Sequence, residues 1–410
     1  MNTTIQLSAN TQHYLELEER YGAHNYHPLP VVLNRGEGIY VWDVDDKRYY
    51  DFLSGYSAIN QGHCHPKIIA ALLEQAQKLT LTSRAFHSNL LGEYEKFVTA
   101  FFGYDKVLPM NTGVEAVETG IKLARRWGYE LKGIAEGQAK IIVVENNFHG
   151  RTSTVISFSS DPSSYKNFGP YMPGFIKIPY NDLAALESAL QDKTVCGFLF
   201  EPIQGEAGVI VPGEGYIKGI RSLCDEYNVL MIADEIQTGL GRTGKMLACD
   251  HENVRPDMLL LGKALSGGTL PVSAVLADDE IMLTIKPGEH GSTYGGNPLA
   301  CAVGMVALQV LKEEKMPENA EAMGILFRDE LKKLNSAFIE TIRGKGLLNA
   351  IVIKHTDPDA AWELCVALKE NGLLAKPTHG DKIRFAPPLT ITKDQLLECV
   401  GIISKSLHML

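Results

Sequence analysis

Four short apolar runs in this chain are each followed by residues able to bind, charge or attack a small molecule. After 229–233 come Asp234, Glu235 and Gln237, and after Met258–Leu261 come Gly262 and Lys263. After 197–200 come Glu201, Gln204 and Glu206, and after Lys140–Val144 come Phe148, His149, Gly150 and Arg151. Continuous runs of this length, rich in Ile, Val and Leu, suit strands buried on both faces, as in a parallel sheet covered by helices. In an open parallel sheet, ligands sit beyond the carboxyl ends of the strands. An amine, several carboxylates, an aromatic ring and a guanidinium are then delivered to one edge, which is an active site in outline. Singly, each has a plainer explanation. The stem of Lys263 could lie along the sheet edge with its ammonium in water, and Asp234 could cap a helix. Phe148 could be core and Arg151 a solvated charge. Their joint placement argues for chemistry.

The elements that must hold these residues follow from the same pattern. Between the runs lie helical stretches such as 114–127, with Val114, Val117, Ile121 and Ala124 at helical spacing. Alternation of this kind predicts an α/β fold with a mostly parallel sheet. From about Asn297 the pattern changes to long helices with a few short strands. The 410 residues favour two or three domains. The expected division is a lead-in segment 1–48, a large domain 49–297 and a smaller α+β domain 298–410.

Composition narrows the function. The chain is 45% hydrophobic and 21% charged, close to the globular average, and its formal net charge of −10 argues against a nucleic-acid surface. No apolar run approaches the ~18 residues of a membrane span. Glu16, Glu18 and Glu19 stand where a transit peptide would be Arg-rich and poor in acids, so a cytoplasmic protein is expected. The seven cysteines form no CxxC pair and read as reduced thiols. His63-Cys64-His65 cannot easily converge on one tetrahedral ion, and no metal is expected. Gly239-Leu-Gly-Arg-Thr-Gly244 spells GxGxxG and, with Lys245, nearly a phosphate-binding loop. Position 246 is Met rather than a Mg²⁺-binding hydroxyl, and no strong helical period follows the glycines.

Longer motifs carry a resemblance. Ile232-Ala-Asp-Glu-Ile-Gln-Thr-Gly-Leu-Gly-Arg-Thr-Gly244, followed by Pro256-Asp-Met-Leu-Leu-Leu-Gly-Lys-Ala-Leu-Ser-Gly-Gly268, resembles the class III aminotransferases of pyridoxal-phosphate (PLP) fold type I. The likeness extends over nearly the whole chain, including 55–66, 111–125 and 290–298. Within that family the segment 22–32, Tyr56 and Phe148-His-Gly-Arg151 are similar to the ornithine aminotransferases. The resemblance implies a large domain with a helix-covered sheet and a smaller C-terminal domain. It implies PLP as cofactor and transfer of the distal amino group of ornithine to 2-oxoglutarate. The products would be glutamate and glutamate 5-semialdehyde, which cyclises to pyrroline-5-carboxylate, a step of proline formation and arginine breakdown.

The resemblance also implies roles. Lys263 would carry the cofactor as a Schiff base and shuttle protons, and Asp234 would pair with the pyridine nitrogen. Gln237 would bond the phenolic oxygen, Phe148 would stack on the ring, and the backbone of Gly113 and Val114 would bind the phosphate at a helix N-terminus. Thr293 would reach that phosphate from a second subunit, making the enzyme a homodimer at least. Arg384 would bind the α-carboxylate of the keto acid. Glu206 would pair with Arg384 when ornithine places only methylenes there. Arg151 would hold the distal carboxylate, and Tyr26 and Tyr56 would define the ornithine end. Three other readings stay open: the same chemistry on acetylornithine or 4-aminobutyrate, a PLP mutase or racemase, and a nucleotide-binding module.

Overall fold

The computed structural model describes residues 7–378 and 380–409. Its largest sheet has seven strands in the spatial order Lys106–Met110, Ser273–Ala277, Met258–Leu261, Leu230–Asp234, Val195–Phe200, Lys140–Val144 and Phe175–Ile178. Ser273–Ala277 runs antiparallel to both neighbours, and the strands from Met258–Leu261 to Phe175–Ile178 pair in parallel. The four runs noted in the sequence are therefore adjacent and co-directional, and their carboxyl ends share one edge. The run 197–200 extends back to Val195, and Asp234 is the last residue of its strand rather than the first beyond it.

Burial on both faces accounts for the unbroken hydrophobicity of these strands. Ile141, Val143, Leu199, Ile232 and Leu260 share a core with Ala116, Val117, Ile121 and Ala124 of the helix Gly113–Glu130. Ile142, Val144, Phe198, Phe200 and Met231 fill the opposite core with the helices Leu183–Leu190 and Tyr216–Tyr227. Full burial of each large side chain contributes about 1.5–3 kcal/mol. Helix Gly113–Glu130 lies close to the sheet because Gly128 faces it: a Cβ there would sit 2.7 Å from Cys196 Cβ.

A second sheet, antiparallel throughout, has the order Ile339–Lys345, Leu348–Ile353, Lys382–Phe385 and Lys376–Thr378. It packs against the helices Met316–Lys333 and Ala360–Glu370. A third sheet begins with the antiparallel strands Leu33–Glu37, Tyr40–Asp43 and Arg48–Asp51. It is completed by Leu373–Leu374, which pairs in parallel with Arg48–Asp51.

Just after that sheet the chain makes one turn, Ser54–Ser57, with four successive positive φ values of 49°, 55°, 60° and 70°. A left-handed turn costs L-residues roughly 1–2 kcal/mol each. Asp51 offsets part of that cost. Its Oδ1 accepts the N–H groups of Leu53 and Ser54, each at 2.8 Å, while its Oδ2 lies 2.8 Å from His63 Nε2. His65 pairs instead with Glu314, so the two histidines of the His-Cys-His run have separate partners. Among the described residues no helix is long and apolar enough to cross a membrane.

Candidate active site

Beyond the carboxyl ends of the central strands lies a cavity of about 310 Å³. Lys263, Asp234, Gln237, Glu206, Phe148, Gly113 and Val114 line it, with His149 and Glu201 among the remaining wall. Lys263 follows Gly262 at the end of the strand Met258–Leu261 and itself takes φ 45°. A left-handed residue with a Cβ is uncommon and recurs at functional sites. Burial lowers its ammonium below the ordinary range, and the charges of Glu206 and Asp234 pull it partly back. An amine shifted that way is more often uncharged, and so nucleophilic, near neutral pH.

Asp234 is buried, and both its oxygens are engaged. Oδ1 accepts from Ile236 N at 3.1 Å, and Oδ2 lies 2.6 Å from His149 Nδ1. Burial by itself would lower the imidazole's pKa, but the bond to Asp234 and the charges of Asp234 and Glu201 outweigh it, so it is raised. Burial pushes the Glu201 carboxyl up to about 7, with His149 opposing and Asp234 adding to the rise. Glu201 Oε1 accepts the Phe148 N–H at 2.8 Å. Two consecutive residues are thus fastened differently, Phe148 by its backbone to Glu201 and His149 by its ring to Asp234. In the sequence both Glu201 and His149 were visible only as strand-end neighbours. The available signal was physical: a buried carboxylate at a strand end requires a partner, and the strand ends beside it offer His149.

A chain of contacts leads from the cavity to Arg384. Gln237 Nε2 donates to Glu206 Oε1 at 3.0 Å, and the same oxygen accepts from Arg384 Nη1 at 2.6 Å. Burial alone would raise the Glu206 carboxyl, but Arg384, Gln237 and Lys263 hold it below the usual range. Arg384 is only 1% exposed and lies 5.3 Å from the centre of the Tyr56 ring. The left-handed turn Ser54–Ser57 therefore presents Tyr56 to this pair. Gly205 makes room for Gln237, since a Cβ at 205 would fall 1.4 Å from Gln237 Oε1.

The remaining expected residues lie farther out. Arg151 sits 5.6 Å from the centre of the Phe148 ring and donates to Ser164 Oγ at 3.3 Å. Tyr26 is 69% exposed, lines an open groove beside the helix Ala9–Tyr21, and has Lys376 Nζ 6.0 Å from its ring centre. Thr293 is exposed and does not line the cavity. Its neighbour Ser292 accepts from Asn111 Nδ2 at 2.7 Å.

The wall can be tested against PLP. A protonated ring nitrogen needs a buried anion, which Asp234 offers. A phenolic hydroxyl needs an acceptor: Gln237 has a buried, unpartnered Oε1, its Nε2 being used on Glu206 at 3.0 Å and on Tyr56 O at 3.5 Å. Such an orphan is costly unless a ligand meets it. A phosphate needs free donors. The capping box at the start of Gly113–Glu130 uses the N–H groups of Thr112 and Glu115, leaving those of Gly113 and Val114 in the first turn. An aldehyde needs an uncharged amine, and burial shifts Lys263 toward that form. The residues fit the group.

Comparison with known proteins agrees with this chemistry. The family model described as "Aminotransferase class-III" matches residues 21–407. The mitochondrial ornithine aminotransferase of Rattus norvegicus is 63% identical over 404 residues, 98% of this chain and 92% of that one. A crystal structure of acetylornithine aminotransferase from Elizabethkingia anophelis superposes with a TM-score of 0.91 at 60% identity, covering 98% of this chain and 100% of that one. The ornithine aminotransferase of Toxoplasma gondii, with PLP at partial occupancy in its active site, gives a TM-score of 0.96 at 50% identity, covering 97% and 94%. Likeness of this extent, in sequence and in backbone, leaves one conclusion: the chain belongs to the class III aminotransferases, which are PLP-dependent enzymes.

Proposed function

We propose that this enzyme is an ornithine δ-aminotransferase with 2-oxoglutarate as acceptor. The observation that carries the reading is the 2.6 Å ion pair between Glu206 and the buried Arg384. An arginine poised to bind an α-carboxylate would be a costly unpaired charge while a distal amine, flanked by methylenes, reacts beside it. Glu206 neutralises Arg384 for the amine donor and releases it to the keto acid.

Bound PLP supplies an electron sink for negative charge on the substrate carbon. Lys263 would anchor the cofactor, and its Nζ would move the proton at that carbon. Asp234, stiffened by His149, holds the ring nitrogen protonated, and Gln237 holds the phenolic oxygen. The N–H groups of Gly113 and Val114 hold the phosphate, with Thr293 of a second copy completing that end, so the working unit is a homodimer. Arg151 binds the distal carboxylate of either substrate, while Tyr56 and Tyr26 bound the ornithine end. A cytoplasmic location and a place in proline formation and arginine breakdown belong to the same reading.

Glu206→Gln tests the gate. Without its masking charge, the reaction with ornithine's distal amine is expected to slow about tenfold or more, the factor for ~1.4 kcal/mol. The reaction with glutamate's α-amine should hold or quicken. Arg384→Ala is expected to show the opposite bias. Single-turnover absorbance changes separate the two halves, and an equal slowing of both by Glu206→Gln would reduce Glu206 to a structural partner. The 60% identity to a structure named for acetylornithine favours a second reading, in which the acetylated amine is the donor. A screen of ornithine, acetylornithine and 4-aminobutyrate with 2-oxoglutarate decides it. Refusal of ornithine would remove the roles given to Tyr26 and Tyr56 and leave those of Lys263 and Asp234 intact.

A further inference from the structure

The Gly239-Leu-Gly-Arg-Thr-Gly244 run lies where the large sheet's loops meet the C-terminal part of the chain. A Cβ at Gly241 would sit 2.9 Å from Leu389 Cδ1, and one at Gly244 would sit 2.2 Å from Glu321 Oε2. From the other side, a Cβ at Gly346 would sit 2.2 Å from the carbonyl carbon of Thr243. The glycines permit a close backbone joint, and within it Arg242 is completely buried.

Arg242 spends its donors on both sides of that joint. Nε and Nη2 donate to Asn60 Oδ1 at 3.2 and 2.6 Å, and Nη1 donates to the carbonyls of Leu347 and Pro387 at 3.0 and 2.6 Å. Asn60 is itself fixed, donating from Nδ2 to Leu240 O at 2.9 Å. Leu347 leads into the strand Leu348–Ile353, where Ala350 stands opposite Arg384. Pro387 lies just past Arg384 in the chain. Both ends of the framework that carries Arg384 therefore hang on one guanidinium.

No ion pair includes Arg242 among the described residues, so its charge is buried against neutral oxygens. Burial, opposed by the charge of Asp51 and helped by that of Arg384, lowers it to about 9. A buried cation whose hydrogen-bond partners are all neutral is destabilising unless its geometry serves something else.

We propose that Arg242 is a positioning residue for Arg384, holding its strand in register beside the cavity and keeping a second fixed positive charge behind it. Binding of the 2-oxo acid then depends on Arg242, and reaction of the amine donor does not. The inference rests on the reading of Arg384 as the α-carboxylate site. In the donor half Glu206 masks Arg384, so a small misplacement of the guanidinium is tolerated.

Arg242→Lys keeps the charge and loses the planar fork. It is tested in the holoenzyme with glutarate, an unreactive dicarboxylate of the acceptor's length, titrated by calorimetry. The expected result is a Kd for glutarate and a KM for 2-oxoglutarate raised about tenfold, with the ornithine half-reaction within about twofold, the split that separates positioning from general damage. Asn60→Ala removes the acceptor of two of the bonds and should move the same quantities in the same direction. It serves as the test if Arg242→Lys does not fold. Unchanged glutarate binding, or equal loss in both halves, would overturn the proposal and leave Arg242 a packing residue. Arg384→Lys distinguishes the two levels. If it too leaves glutarate and 2-oxoglutarate unaffected, the α-carboxylate reading fails. If it cripples both while Arg242→Lys and Asn60→Ala do not, only the positioning role fails.

Discussion

Lys263→Ala is expected to abolish turnover with every amine donor and to remove the visible absorbance of the covalently held cofactor. The residue stands just past a strand buried on both faces, and its amine shares the cavity with Asp234, Glu206 and Gln237. Two functions disappear with it, covalent anchorage and proton movement at the substrate carbon. A loss of about 10⁴-fold or more, some 5–6 kcal/mol of barrier, is the expected scale. Cofactor can still enter the cavity, because the N–H groups of Gly113 and Val114 and the side chains of Asp234 and Gln237 are untouched. Bound but unanchored cofactor, measured by equilibrium dialysis, is therefore part of the expected result. Borohydride reduction of the wild type followed by peptide mapping should tag Lys263. A tag on a different lysine would remove the site assignment altogether.

Asp234→Asn should lower turnover by about 10²-fold or more, corresponding to some 3 kcal/mol. The substitution keeps the shape of the side chain and removes the charge that would keep a ring nitrogen protonated. It also withdraws the counter-ion of His149, whose ring lies 2.6 Å away. In the wild type the bond and charge of Asp234 overcome the effect of burial and raise the imidazole's pKa. In the variant burial acts with less opposition, so the His149 titration should move downward. Steady-state kinetics and an NMR titration of His149 check the two parts separately. Full activity with a shifted His149 would transfer the ring-nitrogen role to some other group.

These residues differed greatly in how legible they were. Asp234 and Lys263 stood out because they stand at and just past the ends of runs whose every residue is buried, and such runs have few alternatives to a central parallel strand. Helix Gly113–Glu130 announced itself through its apolar spacing and through Thr112 and Glu115, which form the capping box. Arg384 could be reached only by resemblance, since its strand Lys382–Phe385 is short and nothing nearby in the sequence shows that it faces Glu206. Arg242 lay inside a glycine pattern whose local form suggested phosphate. Its partners at 60, 347 and 387 are too distant in the chain for any local pattern to reveal. The left-handed turn that carries Tyr56 was invisible because Ser54, Tyr56 and Ser57 have no intrinsic preference for it. Tertiary contacts, with Asp51 foremost, impose it.

The strand Leu373–Leu374, laid parallel against Arg48–Asp51, has a consequence for biosynthesis. The partners are separated by about 320 residues, so at translation rates of roughly 5–20 residues per second the first hairpin emerges about 15–65 s before the strand that completes it. Throughout that interval one side of Arg48–Asp51 is an open edge, the kind of surface that captures strands from other nascent chains. Asp45, Asp46, Lys47 and Arg48, crowded at the preceding bend, are the charges that guard it. Expression yield should therefore be more sensitive to neutralising that cluster than the stability of the finished enzyme would suggest.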